Sequence, residues 1–175
     1  MRPVSRRILP VDAAITYAVN RAGVAEVAAH LAHCDAHFVP PLSGRVDIDA
    51  YAAKIAGHAE RFEAWAGRAL VGMVAAYCND RSHHAAFITS VSVAAERRGE
   101  GIATRLLEDC IQHARRAGFT LIRLSVDRGN AAAIRLYERC GFAAGAGAGA
   151  GVPVEAVDIP MILDLSEVPE RHARL

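Results

Sequence analysis

The junction between a β-branched segment and an amphipathic segment constrains this chain more than any other part of its sequence. Residues 87–93 (FITSVSV) are rich in β-branched residues and predict a strand. From Ile102 to Ala114, apolar residues recur at helical spacing, and charged residues occupy the opposite face. Residues 97–104 (RRGEGIAT) lie between them. Because glycine lets a ligand approach the backbone, and a helix N-terminus presents free N–H groups, this junction predicts a phosphate-binding loop.

Three kinds of phosphate-binding loop could follow a strand in this way. A P-loop requires Gly-Lys-Ser/Thr, which the chain lacks. A dinucleotide fingerprint requires a third glycine where Thr104 stands. The remaining pattern is Arg/Gln-x-x-Gly-x-Gly/Ala, and Arg98, Gly101 and Ala103 satisfy it. The flanking arginines add charge and hydrogen-bond donors for a diphosphate.

A second motif follows the apolar segment 121–126, which predicts another strand. Residues 130–142 (NAAAIRLYERCGF) contain the pattern Asn-x-x-Ala-x-x-Leu-Tyr-Glu-x-x-Gly-Phe. Together the two motifs resemble the GNAT superfamily of N-acetyltransferases, and the resemblance extends over about residues 61–142. It implies an α/β fold of the α+β type, the GNAT acyl-CoA-binding fold, with a mixed central sheet of six to seven strands flanked by about four helices.

The resemblance also implies a co-substrate, acetyl-CoA, and no metal. In this family the strand before the loop offers backbone groups to the pantetheine arm and the thioester carbonyl, and Val91 and Val93 hold those positions. Asn130 is the side-chain contact to the cofactor arm, although it is also suited to cap the following helix. The expected diphosphate loop consists of Arg98, Gly99, Gly101, Ala103 and Thr104.

Tyr137 matches the family tyrosine whose hydroxyl lies near the cofactor sulfur, so we expect it to protonate the departing thiolate. A phenol with a pKa of about 10 protonates a thiolate with a pKa of about 8.5 only by a mildly uphill transfer, which favours concerted donation. The alternative is a buried tyrosine bonded to a backbone carbonyl. The general base stays open because Ser125 stands where relatives that acetylate protein amino termini carry glutamate. The other candidates are Asp127, Asp80, His83, His84 or a water chain from Ser90.

The acceptor side is predicted from the first third of the chain. Residues 22–34 predict a helix, and a second helix begins at Ile48 with Asp47 as its N-cap. In the family this helical pair forms one wall of the acceptor pocket. The intervening loop, residues 38–45, carries one aromatic residue, two prolines and one arginine, which suits a compact and anionic ligand. In the alternative interpretation its apolar residues simply fill the core.

We therefore predict an acetyltransferase acting on a small-molecule primary amine by direct attack through a tetrahedral intermediate. Two alternatives use the same fold: acetylation of a protein or peptide at its amino terminus or lysines, and a CoA-binding sensor without turnover. Before the loop, a strand at 15–20 and a hairpin of 61–66 and 69–77 are expected. The strands that precede the loop argue against a dinucleotide-binding domain, which would open with its glycine loop. A final strand is expected at 157–165, with Pro160 at an edge or a bulge.

Composition limits the partners and the compartment. A net charge of +1 over 175 residues argues against a nucleic-acid binder. No apolar run reaches the roughly 18 residues that a membrane span needs. Four scattered cysteines favour reduced thiols in a cytoplasmic protein. The chain is expected to be one domain, 1–175, with a loose lead-in at 1–12, a flexible Gly/Ala-rich segment at 143–156, a polar tail at 166–175 and a possible homodimer. A metal site is conceivable but not favoured at His30, His33, Cys34 and His37.

Overall fold

The computed structural model of this chain describes residues 12–79, 82, 84–145 and 158–166. Within these residues the chain forms seven strands and four α-helices. The strands are β1 (Ile15–Val19), β2 (Glu60–Ala66), β3 (Ala69–Tyr77), β4 (Ala85–Val93), β5 (Leu121–Asp127), β6 (Ala143–Ala144) and β7 (Asp158–Asp164). The helices are α1 (Val24–Cys34), α2 (Ile48–His58), α3 (Ile102–Arg116) and α4 (Ala131–Arg139).

All seven strands join one mixed sheet in the order β1-β2-β3-β4-β5-β7-β6. The first four strands are antiparallel, β4 and β5 are parallel, and β7 runs antiparallel to both of its neighbours. The predicted mixed sheet of six to seven strands with four helices is confirmed. Because four antiparallel strands precede the glycine loop, a dinucleotide-binding arrangement is excluded.

Strands β4 and β5 separate shortly after they begin. Their pairing covers only Ala85–Phe87 against 121–123. Further along, Ala75 of β3 pairs with Ser90 while Ala76 pairs with Ile88, so Thr89 is an extra residue and forms a β-bulge. A bulge bends its strand and strengthens the local twist. The second half of β4 therefore has β3 as its only strand neighbour in the described structure, and a gap opens towards β5.

Helices cover both faces of the sheet. Helix α3 packs on one face, and its approach is so close that a Cβ at Gly72 of β3 would lie 2.8 Å from Ile102 Cγ2. Glycine at that position is therefore required by packing. Helices α1 and α2 cover the opposite face, where their apolar residues form a second core with Trp65, Leu70 and Met73.

A buried polar group ties the start of α1 to the sheet. The carboxylate of Glu63, in the centre of β2, is fully buried and accepts hydrogen bonds from the N–H groups of Arg21 and Ala22 and from Trp65 Nε1. Arg61 Nε lies 3.4 Å from this carboxylate, and its Nη groups donate to backbone carbonyls, including that of Ala22. These bonds fix where α1 begins, and hence how it lies across β4.

The helix and strand boundaries differ from the predictions by one to two residues at most positions. Asp47 caps α2 as predicted, since its carboxylate accepts from the Ala50 N–H at 2.8 Å. The Gly/Ala run begins with the two-residue strand β6, and its remainder, 146–157, lies outside the described residues, as do 1–11 and 167–175. Pro160 is not on the edge strand of the sheet, and no bulge interrupts its pairing with Ser125. It lies just beyond the end of the β6 ladder, where an N–H is not required.

Candidate active site

The loop that joins β4 to α3 has two glycines in the left-handed region. Gly99 has φ +79° and Gly101 has φ +75°, and a Cβ at either position would meet no atom of the described residues within 4 Å. Gly101 is the N-cap of α3, and no side chain in the described part of the chain caps the N–H groups of the first turn. The N–H groups of Ile102, Ala103 and Thr104 therefore stand free at the positive end of the helix dipole. This arrangement suits an anion.

The two arginines of the loop have different environments. Arg97 is buried, and its guanidinium donates to the Glu100 carboxylate at 2.9–3.1 Å and to the Ala13 carbonyl at 3.0 Å. These hydrogen bonds hold the loop in place from its buried side. Arg98 is exposed and lines the cleft described below. Both arginines line the cleft, and Arg98 is the one that has no ion pair with another described residue.

A cleft of about 690 Å³ begins at this loop and continues between the separated halves of β4 and β5. Its walls come from the second half of β4, the end of β5, the start of α4 and the segment between α1 and α2. All nine residues predicted to bind the co-substrate or to act in catalysis line this cleft: Val91, Val93, Arg98, Gly99, Gly101, Ala103, Thr104, Asn130 and Tyr137.

Strand β4 presents a different set of side chains to each face of the sheet. Val91 and Val93 pack against the core beneath α3. Ser90 and Ser92 point to the opposite face, towards α1, and are both buried. The Thr89 bulge changes which residues share a face, because it inserts one residue into the alternation.

Asn130 caps helix α4, and both roles predicted for it are compatible with its geometry. Its Oδ1 accepts a hydrogen bond from the Ala133 N–H at 3.2 Å. Its Nδ2 has no partner among the described residues, and the side chain lines the cleft. The oxygen therefore serves the helix and the amide N–H groups face the cleft.

Tyr137 lies on the second turn of α4 with its ring buried against Phe142, at a centroid distance of 6.0 Å. Burial raises the pKa of its phenol to about 12, with a smaller contribution from Cys140. Among the described residues no group accepts a hydrogen bond from its hydroxyl, so the alternative of a carbonyl-bonded tyrosine is not observed. The hydroxyl is neutral at any ordinary pH and can donate to a group in the cleft.

The opposite wall consists of residues 30–51 and is called the α1–α2 wall below. Phe38, Val39, Leu42 and Arg45 line the cleft, as the loop prediction required, while Leu42 also fills the core. The hydroxyl of Tyr51 lies 2.8 Å from both the carbonyl and the hydroxyl oxygen of Thr89, so α2 is hydrogen-bonded to the bulge of β4.

The sequence did not predict the most deeply buried polar contact of the α1–α2 wall. His30 Nε2 lies 2.8 Å from Ser92 Oγ, and His30 Nδ1 lies 3.1 Å from the Leu70 carbonyl oxygen. Burial lowers the pKa of His30 to about 4, so the ring is neutral. A histidine on the apolar face of a helix was the available signal, but its partner is 62 residues away in the chain.

The four possible metal ligands near the end of α1 have different environments. His30 is turned into the protein, whereas His33 is exposed and pairs with Glu96 at 3.0 Å. Burial raises the pKa of the Cys34 thiol to about 12, and the charge of Arg98 opposes that shift. Within the described part of the chain, no group of three potential metal ligands comes together.

The candidate general bases differ in their distance from the cleft. Ser125, Asp127 and Ser90 line it. Asp127 closes a local turn by accepting the Gly129 N–H at 2.7 Å. His84 precedes the paired end of β4, where its carbonyl binds the Thr120 N–H, and it does not line the cleft. Asp80 and His83 lie outside the described residues.

Comparisons with known proteins agree with this geometry. One curated relative, the L-methionine sulfoximine/L-methionine sulfone acetyltransferase of Pseudomonas paraeruginosa, is 40% identical over 53 residues, which are 30% of this chain and 31% of the relative. The match thus spans about a third of that relative's length.

Two solved structures share the fold. The ribosomal-protein-S18-alanine N-acetyltransferase of Escherichia coli superposes with a TM-score of 0.67 at 20% identity, over 90% of this chain and 98% of that one. The yncA protein of Salmonella typhimurium, solved with acetyl-CoA, gives a TM-score of 0.66 at 23% identity, over 92% and 99% of the two chains. Within the described residues, no helix has the length and apolar character to cross a membrane.

A family model decides the assignment. Residues 24–142 match the model of the acetyltransferase (GNAT) family, and they include the glycine loop, Asn130 and Tyr137. The prediction from the two sequence motifs is confirmed, and this chain belongs to the GNAT family of acetyltransferases.

Proposed function

We propose that this protein transfers the acetyl group of acetyl-CoA to the primary amine of a small molecule. The observation that carries the proposal is the continuous cleft from the glycine loop to Tyr137, lined on its far side by the α1–α2 wall. Acetyl-CoA supplies an activated thioester, and the residues of this chain bind it, orient it and exclude water.

The donor end of the cleft fits an acyl-CoA. The first-turn N–H groups of α3 and the Arg98 guanidinium are suited to a diphosphate, and the absence of side chains at Gly99 and Gly101 leaves room for it. Asn130 Nδ2 is suited to an amide carbonyl of the pantetheine arm. The backbone of Val91 and Val93 borders the gap between β4 and β5, and an N–H there would stabilise a developing oxyanion more than the ground-state carbonyl.

Tyr137 is the proposed general acid. With the phenol pKa raised to about 12, complete proton transfer to a thiolate of pKa about 8.5 would be uphill by roughly 5 kcal/mol. This free-energy cost is larger than the one expected from the sequence, where an ordinary phenol pKa of about 10 applies. The hydroxyl therefore acts by donating its hydrogen bond as the carbon–sulfur bond breaks, in a concerted step.

Two observations support a small amine as the acceptor. The α1–α2 wall closes the cleft with Phe38, Leu42 and Arg45, which is a compact enclosure with one cation at its mouth. The Pseudomonas relative is named for two amino-acid derivatives, methionine sulfoximine and methionine sulfone. Both carry an α-amine and a carboxylate, and the carboxylate would suit Arg45.

The test is an acceptor screen with acetyl-CoA. Thioester loss should be followed by mass spectrometry, because Cys34, Cys78, Cys110 and Cys140 are free thiols and would complicate a thiol-reactive dye. The panel contains L-methionine sulfone, L-methionine sulfoximine, simple alkylamines and short peptides with free α-amines. We expect at least one small amine to exceed every peptide in kcat/KM. Efficient acetylation of peptides alone would overturn the acceptor class, and no turnover of any amine would favour a CoA-binding sensor.

A further inference from the structure

Two serine side chains lie side by side on the β4 face that meets the α1–α2 wall. Ser90 and Ser92 are two residues apart, 6% and 7% exposed, and both line the cleft. The proposed donor site uses neither of them. Their neighbour in sequence, Val91, belongs to the strand segment proposed to hold the thioester.

Ser90 has an unmatched hydroxyl. Its Oγ is inaccessible to solvent and has no hydrogen-bond partner among the described residues. A buried hydroxyl without a partner is costly, and native proteins keep few of them. Because Ser90 lines the cleft, a ligand bound there could supply the missing partner once the side chain turns towards it.

The Ser92 hydroxyl is the donor in its hydrogen bond with His30. The Leu70 carbonyl can only accept, so His30 Nδ1 must carry the proton in the 3.1 Å contact between them. His30 Nε2 is then an acceptor, and the Ser92 hydroxyl must donate to it across 2.8 Å. With its proton committed to His30, Ser92 Oγ can offer only lone pairs to the cleft.

We infer that Ser90 and Ser92 form the seat of the acceptor's amino group, and that His30 is the positioning residue that turns Ser92 into an obligatory hydrogen-bond acceptor. This inference rests on the proposed function, because it states where the amine of that reaction binds. A primary amine has two N–H groups, one for the lone pairs of Ser92 and one for the Ser90 oxygen, which can accept as well as donate. A carboxylate would face the lone pairs of Ser92 and be repelled.

The charges around the seat favour a neutral amine over an ammonium ion. Among the described residues that line the cleft, the carboxylates are Asp127 and Asp158, and both belong to the β5–β7 side. The lining cations are Arg45 of the α1–α2 wall, Arg98 of the loop, Arg139 of α4 and Arg97, which is paired with Glu100. Hydroxyl oxygens can hold N–H groups without a countercharge, so desolvation in this seat disfavours protonation. The neutral form is the one that attacks a thioester.

The first experiment measures KM for the best small amine of the screen and the Kd for acetyl-CoA. Ser90→Ala and Ser92→Ala should each raise the amine KM about fivefold, and the double variant about 25-fold, with the acetyl-CoA Kd unchanged. Ser166→Ala, which removes a serine hydroxyl far from the cleft, should have no effect. An amine KM at the wild-type value in the double variant would overturn the seat.

The positioning role of His30 needs a separate readout. His30→Leu should raise the amine KM as Ser92→Ala does, because the Ser92 hydroxyl can then rotate and donate into the cleft. His30→Gln, whose amide oxygen can accept from Ser92, should restore most of the affinity. Ring ¹⁵N chemical shifts of His30 in the wild-type protein should report the Nδ1–H tautomer. The Nε2–H tautomer would overturn the assignment whether or not the leucine variant folds.

A binding experiment separates the failure of this inference from the failure of the proposed function. Trifluoroethylamine, a primary amine that is neutral at neutral pH, can be observed by ¹⁹F NMR in the presence of CoA-saturated protein. We expect its signal to shift with the wild-type protein and not with the Ser90→Ala/Ser92→Ala variant. An equal shift with both proteins would overturn the seat. If no amine is acetylated but this difference is found, the proposed function fails and the seat stands.

Discussion

The two sides of the cleft are built in different ways. The loop side uses a contiguous stretch, from β4 through the glycine loop and α3 to Asn130 and Tyr137 on α4. Its special geometry is local: glycines with positive φ, an uncapped helix start and an asparagine N-cap. The α1–α2 wall is held against β4 by contacts between distant residues, such as His30 with Ser92 and Tyr51 with Thr89.

This difference explains why the donor was easier to identify than the acceptor. Local geometry depends on a few neighbouring residue types, so it leaves a recognisable motif. The α1–α2 wall depends on contacts between side chains that are 38 and 62 residues apart in the sequence. Contacts of this kind produce no recognisable local sequence motif. Substitutions on the loop side should therefore change acetyl-CoA affinity and the rate of the chemical step. Substitutions in the α1–α2 wall should change stability and the binding of the amine.

The largest expected effect is on the chemical step. Tyr137→Phe keeps the ring against Phe142 and removes only the hydroxyl, so kcat should fall by about 10²–10⁴-fold with little change in acetyl-CoA affinity. Steady-state kinetics and calorimetry measure the two quantities. Tyr17→Phe, on the exposed edge strand β1, is the matched control and should behave as wild type. Undiminished kcat in Tyr137→Phe, with chemistry rate-limiting, would make Tyr137 a packing residue.

The next effect concerns the α1–α2 wall and is a dependence of stability on pH. Burial lowers the pKa of His30 from 6.5 to about 4, so the unfolded chain binds a proton between these values that the folded protein does not. The free energy of unfolding therefore has its full value above pH 6.5. It decreases by about 3 kcal/mol as the pH falls towards 4. Urea unfolding at a series of pH values measures it.

The matched variant for that measurement is His30→Gln, which cannot titrate. Its unfolding free energy should be flatter than that of the wild type over the same range. Parallel curves for the two proteins would show that His30 is not protonated on unfolding, contrary to its burial. The carboxyls of Asp35 and Glu96, whose pKa values hydrogen bonds lower, lose their contributions at lower pH in both proteins.

A smaller effect is expected at the glycine loop. Gly101→Glu places a Cβ in a left-handed conformation, at a cost of about 1–2 kcal/mol, and brings a negative charge to the helix N-terminus. The loop must regain its strained shape to bind, so acetyl-CoA affinity should fall about 30-fold. Gly67→Glu, at φ +61° in the β2–β3 turn, carries the same charge and backbone strain away from the cleft. Unchanged affinity in a folded Gly101→Glu protein would contradict the loop assignment.

The smallest effect separates the two roles of Asn130. Asn130→Ala removes the N-cap and should lower the free energy of unfolding by about 1 kcal/mol. Asn130→Asp keeps a capping oxygen but loses the amide donor that faces the cleft. It should retain stability while binding acetyl-CoA more weakly. Equal affinity in Asn130→Asp and wild type would reduce Asn130 to a helix cap.

Much of the fold and of the loop side could be predicted from the sequence. Apolar periodicity located the strands and helices to within a few residues, because it depends on which side chains must leave water. Asp47 and Asn130 were recognisable as caps, since capping needs only a side-chain oxygen three residues before a free N–H. The nine predicted residues were brought to one cleft because the motif already encoded a strand, a turn and a helix start.

Only the tertiary structure decided the rest. It placed the extra residue of β4 at Thr89, which sends Ser90 and Ser92 towards α1 and Val91 towards α3. It also turned Arg97 inward to Glu100 while Arg98 stayed on the cleft. These outcomes depend on which distant groups fill the space around each side chain. The bulge, the histidine–serine contact and the bond from Arg97 to the Ala13 carbonyl each involve a partner that the neighbouring sequence does not contain.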